Sequence, residues 1–206
     1  ELTELLSQAA LEEASESAPA SAVPPRADHL FRQWLFLHAV ADDPELLGMG
    51  WLARMRVSWR RYGYSRAFVR AGGPIPPMRP DWPAMTFEQV EQIQPGDDET
   101  LEPVLRSMRL KLDAHAFAGP GYFNYDLMSG LTAWALLPAL VGWFARHSAA
   151  AAGRSRLNAD DVLAGVRTTH HTFGVSPVFS RISECMRLRG ISDSGAVLAL
   201  VTRYGP

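Results

Sequence analysis

The sequence predicts an all-α protein, a single orthogonal, irregular bundle of about seven helices around a buried central helix. Three observations carry that expectation. Apolar residues recur at helical spacing in segment after segment, and no segment alternates in the manner of a half-buried strand. The stretch from Leu127 to Phe144 is apolar on nearly every side, which belongs in the middle of a bundle. With 206 residues, 47% hydrophobic and 20% charged, the chain can bury a core without staples.

The domain division follows from the first residues: a helix and linker over residues 1–25, then a helical domain over 26–206. Glu1 to Glu16 places Leu2, Leu5, Leu6 and Ala9 at helical spacing, and Ser17 to Pro25 is Ala/Ser/Pro-rich and reads as a linker. Asp28 to Ala41 restarts a helix with Leu30, Trp34 and Leu37 on one face. Asp43 before Pro44 is a helix start, and that helix is expected to run to about Arg61 with Trp51, Leu52, Met55 and Trp59 as its stripe. Ala71 to Pro83 holds two glycines and five prolines and is expected as an extended wrap, pinned by Trp82. Thr86 and Gln89 form a capping-box pattern opening a short helix.

Two long apolar helices come next, joined by the loop Gly119 to Asn124. The first, capped by Asp97 or Asp98, carries Leu101, Leu105, Met108, Leu112 and Phe117, with His115 inside it. The second runs from Leu127 to Phe144 and should kink at Pro138. Its 18 residues fall at the short end for a bilayer span. Pro138, Gly142 and the flanking Asp126, Arg146 and His147 favour a buried helix instead. Asn158, followed by Asp160 and Asp161, caps a helix through Val162, Leu163 and Val166 to His171, closed by Gly174. A helix from Ser176 to Gly190, with Val178, Ile182, Cys185 and Leu188 on its apolar side, and a last one capped by Ser192 and ended at Tyr204-Gly205, complete the chain.

Composition narrows the function classes. A net charge of −2 supplies no global pull towards nucleic acid or an anionic membrane. Lys111 is the single lysine among twenty basic residues, which fits a GC-rich coding sequence or selection against modifiable lysines. One cysteine, Cys185, rules out an internal disulfide and a thiolate cluster within the chain, and fits a reducing, cytoplasmic setting. The start at Glu1, with no signal-peptide pattern, is expected to be a truncation or processed end of a larger protein.

No glycine-rich phosphate loop, paired carboxylates or Ser-His-Asp order is present. The candidate binding residues fall in three groups. Arg60 and Arg61, with Arg54 and Arg56, surround an aromatic stripe; such a face fits phosphates and stacked bases in principle, but the acidic balance favours an acidic peptide or a neighbouring domain. Tyr122, Asn124 and Tyr125 meet at the N-terminus of an apolar helix, where an anion is electrostatically favoured; Asn124 as cap and the tyrosines as anchors is the plainer reading. His170 and His171 point about 100° apart on a helix, so together they make no two-ligand face, though either can meet His115 or His147 in space. No metal ligand set is assigned.

Five stretches together resemble a known family: Pro80 to Glu91, Leu105 to Leu112, Tyr122 to Leu140, Leu157 to Val162 and Thr168 to Pro177. In that order they are similar to the C-terminal helical half of cysteine-cluster, zinc- or iron-chelating proteins of the flagellin lysine-N-methylase type, over roughly residues 28–204. The resemblance implies a helical companion of a cofactor-bearing part. The cysteine cluster of that family lies N-terminal to the helical region and has no counterpart here, so an iron–sulfur cluster or zinc would belong to a missing N-terminal or partner segment. The expected function is then an accessory, substrate-binding helical domain of a protein-modifying protein, docking a cysteine-containing segment or subunit, with no nucleic acid and no membrane span. An exposed apolar or aromatic patch is expected where that part docks. The rival expectations are a self-contained peptide-binding scaffold, and an enzyme using residues 122–126 with His115, His170 or His171.

Overall fold

The computed structural model describes residues 22–40, 50–77, 83–120, 122–175 and 177–206. The expected helix over Glu1–Glu16, residues 17–21 of the linker, the helix start at Asp43-Pro44 and Trp82 all lie outside the described residues. The fold is all-α, with one antiparallel pair of two-residue strands as its sole sheet among the described residues.

Helix α1, Pro25–Ala39, opens with proline at its first turn, where the missing N–H costs no hydrogen bond. Phe31, Trp34, Leu35 and His38 recur at three- and four-residue intervals and are all buried. Helix α2, Trp51–Arg70, runs nine residues beyond the expected Arg61. It ends where Ala71 turns left-handed (φ 52°) and Gly72 N–H reaches back to the Ala67 carbonyl at 2.9 Å. Strand β1, Pro74–Ile75, pairs antiparallel with β2, Met85–Thr86. Thr86 then caps α3, Phe87–Glu91, through the reciprocal Thr86–Gln89 box.

A 3-10 turn, Asp98–Leu101, capped by Asp97, leads into α4, Glu102–Asp113. The long apolar stretch is two helices, α5 (Leu127–Ala135) and α6 (Leu137–Ala151), with Leu136 between them. Pro138 lies in the first turn of α6, where its ring has no preceding carbonyl of the same helix to strike. Helix α7, Ala159–Val175, starts from a reciprocal box in which Asp161 N–H donates to Asn158 and Asn158 N–H to Asp161. A 3-10 turn, Pro177–Ser180, precedes α8 (Ile182–Asp193) and α9 (Val197–Tyr204).

Helix α6 is the centre of the molecule. Eleven of its fifteen residues are buried, Trp143 completely. Its most extensive neighbour is α7. The two backbones approach so closely at Gly165 that a Cβ there would stand 2.5 Å from the Val141 carbonyl oxygen. At Gly142 a Cβ would stand 2.2 Å from the carbonyl oxygen of Tyr204, at the end of α9. Glycine is what allows α6 to be enclosed on both of these sides. A buried polar cluster ties the ends of the described chain together: Tyr204 donates to Asp28 at 2.6 Å, Arg32 pairs with Asp28 at 2.5 Å, and the Arg146 guanidinium donates to the Arg203 and Gly205 carbonyls. Arg203 stands 3.6 Å from Asp28 and 3.8 Å from Glu91, whose carboxyl burial pushes up.

Several expectations are corrected. The first long helix is not central. It stops at Asp113, buries Val104, and leaves Leu105, Leu110 and Leu112 exposed. His115 lies beyond its end in a left-handed conformation (φ 50°) and faces solvent, so it is no core residue. Leu127 and Met128, at the start of the second apolar helix, are exposed, as are Ile182 and Met186. Helix α6 extends past Phe144, the expected end of the second apolar helix, to Ala151. Gly190 and Ser192 lie inside α8, and Gly174 inside α7. Asp126, not Asn124, caps α5, through both the Ser129 N–H and its hydroxyl. The α5–α6 stretch is long and apolar enough to cross a membrane, but 67% of its most apolar window is buried inside the protein.

Candidate functional site

Among the described residues two surface features stand out: a groove between α4 and α7, and the N-terminal half of α2.

The groove encloses about 610 Å³. Gln94 N–H donates to the Ser155 carbonyl, and Leu157 N–H to the Gln94 carbonyl, so the chain enters α4 and α7 side by side. Further on, Ser107 Oγ lies 2.6 Å from His170 Nε2. The two helices therefore run roughly parallel. Pro103, Leu163 and Val166 line the beginning of the groove; Ser107, Lys111 and His170 line it further along. The groove exists because α4 touches the body along one narrow edge, leaving Leu110 and Leu163 exposed (62% and 37%) where a closer packing would have covered them. The Lys111 ammonium sits 5.4 Å over the ring of Tyr122. Partial burial lowers the Lys111 pKa from its usual value, and burial with the neighbouring Lys111 charge lowers that of His170.

A histidine can activate a serine as a nucleophile, and acyl transfer needs in addition donors aimed at the developing oxyanion. Ser107 is interior to α4, so the N–H groups around it are committed to helix hydrogen bonds. Ser107 was not legible as a site residue. Its one signal was the four-residue spacing to Lys111, which places both on one helix face.

The second feature is the aromatic face of α2. Trp51, Met55, Trp59 and Tyr62 follow one another at helical spacing, with Leu52 beside them, and all five are exposed, Trp51 and Trp59 by more than two thirds. At ~100° per residue they occupy one arc, flanked by Arg54 and Arg61 on one side and by Arg56 and Arg60 on the other. Trp59 meets Tyr62 edge-on at 6.3 Å, and the Arg66 guanidinium lies 5.7 Å over the Tyr62 ring. A shallow depression of about 480 Å³ follows Arg54, Met55, Ser58, Trp59 and Tyr62. The helix is anchored from its other end, where Ala67 and Phe68 are buried and Phe68 packs on Phe36, Phe87 and Trp143.

The remaining candidate residues lie as follows. Tyr122 and Tyr125 are buried, packed edge-on at 5.6 Å, with Phe123 bridging them to Phe179. Burial raises both phenols far above their usual pKa. Asn124 is exposed in a left-handed conformation (φ 61°) that closes the loop onto the Gly119 carbonyl. His171 is exposed, one residue round the helix from the groove-lining His170, and His115 is exposed beyond the end of α4. His147 lies in the core beside Trp143, where burial lowers its pKa to about 4. His38 is likewise held neutral by burial, 2.8 Å from the Thr172 hydroxyl.

Zinc and iron–sulfur sites need several thiolate or imidazole donors at one point. The chain has one thiol, the half-buried Cys185, and among the described residues no three His, Cys, Asp or Glu side chains converge. The donors described here do not fit such a group. No family model matches the chain, and no curated protein or solved structure matches it.

Proposed function

We propose that this chain is a helical accessory domain that docks an acidic, amphipathic protein segment on the aromatic face of α2. In this reading it serves a protein-modifying assembly of the flagellin lysine-N-methylase type, and the docked segment belongs to a cysteine-bearing part outside this sequence. The observation that carries the reading is the exposure of Trp51, Leu52, Met55, Trp59 and Tyr62 as one continuous stripe. Exposed apolar residues are ordinary when scattered, but contiguous aromatic stripes rimmed by charge mark interaction surfaces, and Trp, Tyr and Arg dominate the energetics of such surfaces. The flanking arginines select acidic partners by the same charge complementarity that sets specificity elsewhere.

The test is a titration of the full chain with two synthetic 16-residue amphipathic peptides of identical leucine spacing, one flanked by glutamates and one by lysines. Saturable binding of the glutamate peptide alone, lost in Trp59→Ser and in Arg60→Glu/Arg61→Glu, supports the reading. Equal binding of the two peptides, or preference for anionic vesicles or duplex DNA over the acidic peptide, overturns it.

A further inference from the structure

The first sixteen residues of the sequence carry a pattern that complements α2. Leu2, Leu5, Leu6 and Ala9 share one helical face, and Glu12, Glu13 and Glu16 follow them. Residues 1–16 hold five glutamates and no lysine or arginine. Helix α2 is the reverse: Trp51–Arg70 holds six arginines and no acidic residue. Against a whole-chain balance of −2, these are two segments of opposite sign. Their order also matches. On α2 the exposed Trp51, Leu52 and Met55 come first, and four of the six arginines come after Trp59. In residues 1–16 the leucines at 2, 5 and 6 come first, and three of the five glutamates come after Ala9. Laid along α2 in the same direction, a helix of sixteen residues is ~24 Å long and covers the ~17 Å from Trp51 to Tyr62. Its end then falls beside Arg66. Phe68, two residues further on, has its ring 5.7 Å from that of Phe36 on α1. Pro25, at the start of α1, is eleven residues, or ~17 Å, from Phe36. Residues 17–24 extend up to ~28 Å, enough to join the two.

We propose that residues 1–16 dock within the same molecule on the aromatic face of α2, leucines over Trp51 and Met55 and the later glutamates beside Arg60 and Arg61. An acidic partner must then displace them, so the segment is a built-in competitor. The inference rests on the reading of α2 as a face for acidic amphipathic segments, and it names an occupant within the chain. A short tether holds the segment at an effective concentration on the order of millimolar, which favours docking in the same molecule over docking on a second copy at micromolar concentration. The docking is weak enough to be displaced: an occupancy of about two to one lowers the apparent affinity for a partner roughly threefold.

Cys185 is the chain's single cysteine, so one nitroxide can be placed cleanly. The full chain is made with 5-fluorotryptophan, carries Ser7→Cys in a Cys185→Ser background, and is spin-labelled at residue 7. The fluorine signals of Trp51 and Trp59 are identified with Trp51→Phe and Trp59→Phe. The expected result is that both signals are broadened, sharpen when ascorbate reduces the nitroxide, and stay broadened in a fivefold excess of unlabelled, unfluorinated chain. In Leu2→Ser/Leu5→Ser/Leu6→Ser, which leaves the body of the protein untouched, the broadening is lost. The same triple variant binds the glutamate-flanked amphipathic peptide roughly threefold more tightly than the parent. The proposal is overturned by sharp signals in the parent, by broadening that the excess of unlabelled chain abolishes, which would place the segment on a second copy, or by broadening that survives the triple variant. The two readings fail separately. If the glutamate-flanked peptide binds parent and triple variant equally, only the docking of residues 1–16 falls; if it binds neither, the reading of the α2 face falls with it.

Discussion

Helices α6 and α2 carry similar cargo and meet opposite fates. Trp143 and Phe144 on α6 are inaccessible to solvent or nearly so; Trp51 and Trp59 on α2 are exposed by 69% and 68%. The difference is not in the side chains but in what surrounds them. Helix α6 has glycine where neighbours press closest, at Gly142 and opposite Gly165, and no charge until Arg146. Helix α2 has arginine on both flanks of its stripe, which holds any neighbour of this chain's own apolar core at a distance. An apolar stripe with small residues beside it is enclosed by its own fold; one fenced by arginines is left exposed, and the acidic segment proposed above would be its complement.

The sharpest break of that contrast is Trp143→Ala. Trp143 packs on Phe68, Phe87 and Phe144, with centroids 5.2 to 5.7 Å away. Emptying that position should cost ~3–5 kcal/mol, seen as a fall in the urea midpoint at unchanged slope. A loss under about 1 kcal/mol would mean that α6 is not the centre of the core.

The next effect is in the pH dependence. His147 is held neutral in the folded state with its pKa lowered to about 4, against 6.5 for an unperturbed histidine. The unfolded chain therefore takes up a proton that the folded chain refuses as pH falls from 6.5 towards 4. Stability is full above pH 6.5 and declines across that window, by on the order of 3 kcal/mol at its acid end. His38, also lowered by burial, steepens the decline. In His147→Phe the slope between pH 6.5 and 4 should shrink; an unchanged slope would place the proton elsewhere.

Helix starts come next, and they show how much of the fold was legible. The Thr86–Gln89 and Asn158–Asp161 boxes and the break near Pro138 could be read from residue types, because capping and proline geometry are local. What could not be read was whether a stripe has a cover. Leu105, Leu110, Leu112 and Leu163 have the spacing of core residues, yet two of them wall a groove and the others face water. Periodicity states which residues share a face and nothing about what meets it. The same limit hid the Ser107–His170 contact, which joins residues 63 apart in sequence. Asn124 was a plausible cap by type, but Phe123 and Asn124 both turn left-handed to close the loop, and the helix begins two residues later. Asp126 then accepts from Ser129, and those hydrogen bonds pull its pKa down to about 2. Asp126→Ala should cost ~1 kcal/mol; Asn124→Ala should not cost a cap. If the two variants melt at the same temperature, the assignment of the cap is wrong.

The smallest expected effect on stability carries the most functional weight. Trp59→Ser removes an indole that leans on Tyr62 and is 68% exposed. Since most of that side chain is already in water, the unfolded state gains almost nothing from the change, and the urea midpoint should stay within about 0.5 kcal/mol of the parent. Capture of an acidic amphipathic peptide should be lost in the same variant, because truncating an aromatic anchor at the middle of an interface typically costs ~2 kcal/mol or more of binding. Stability and binding thus separate on α2 and would not separate on α6, where the same substitution at Trp143 unfolds the site along with the core. A Trp59→Ser chain that loses stability as Trp143→Ala does would show α2 to be sealed against the body, and the contrast between the two helices would vanish.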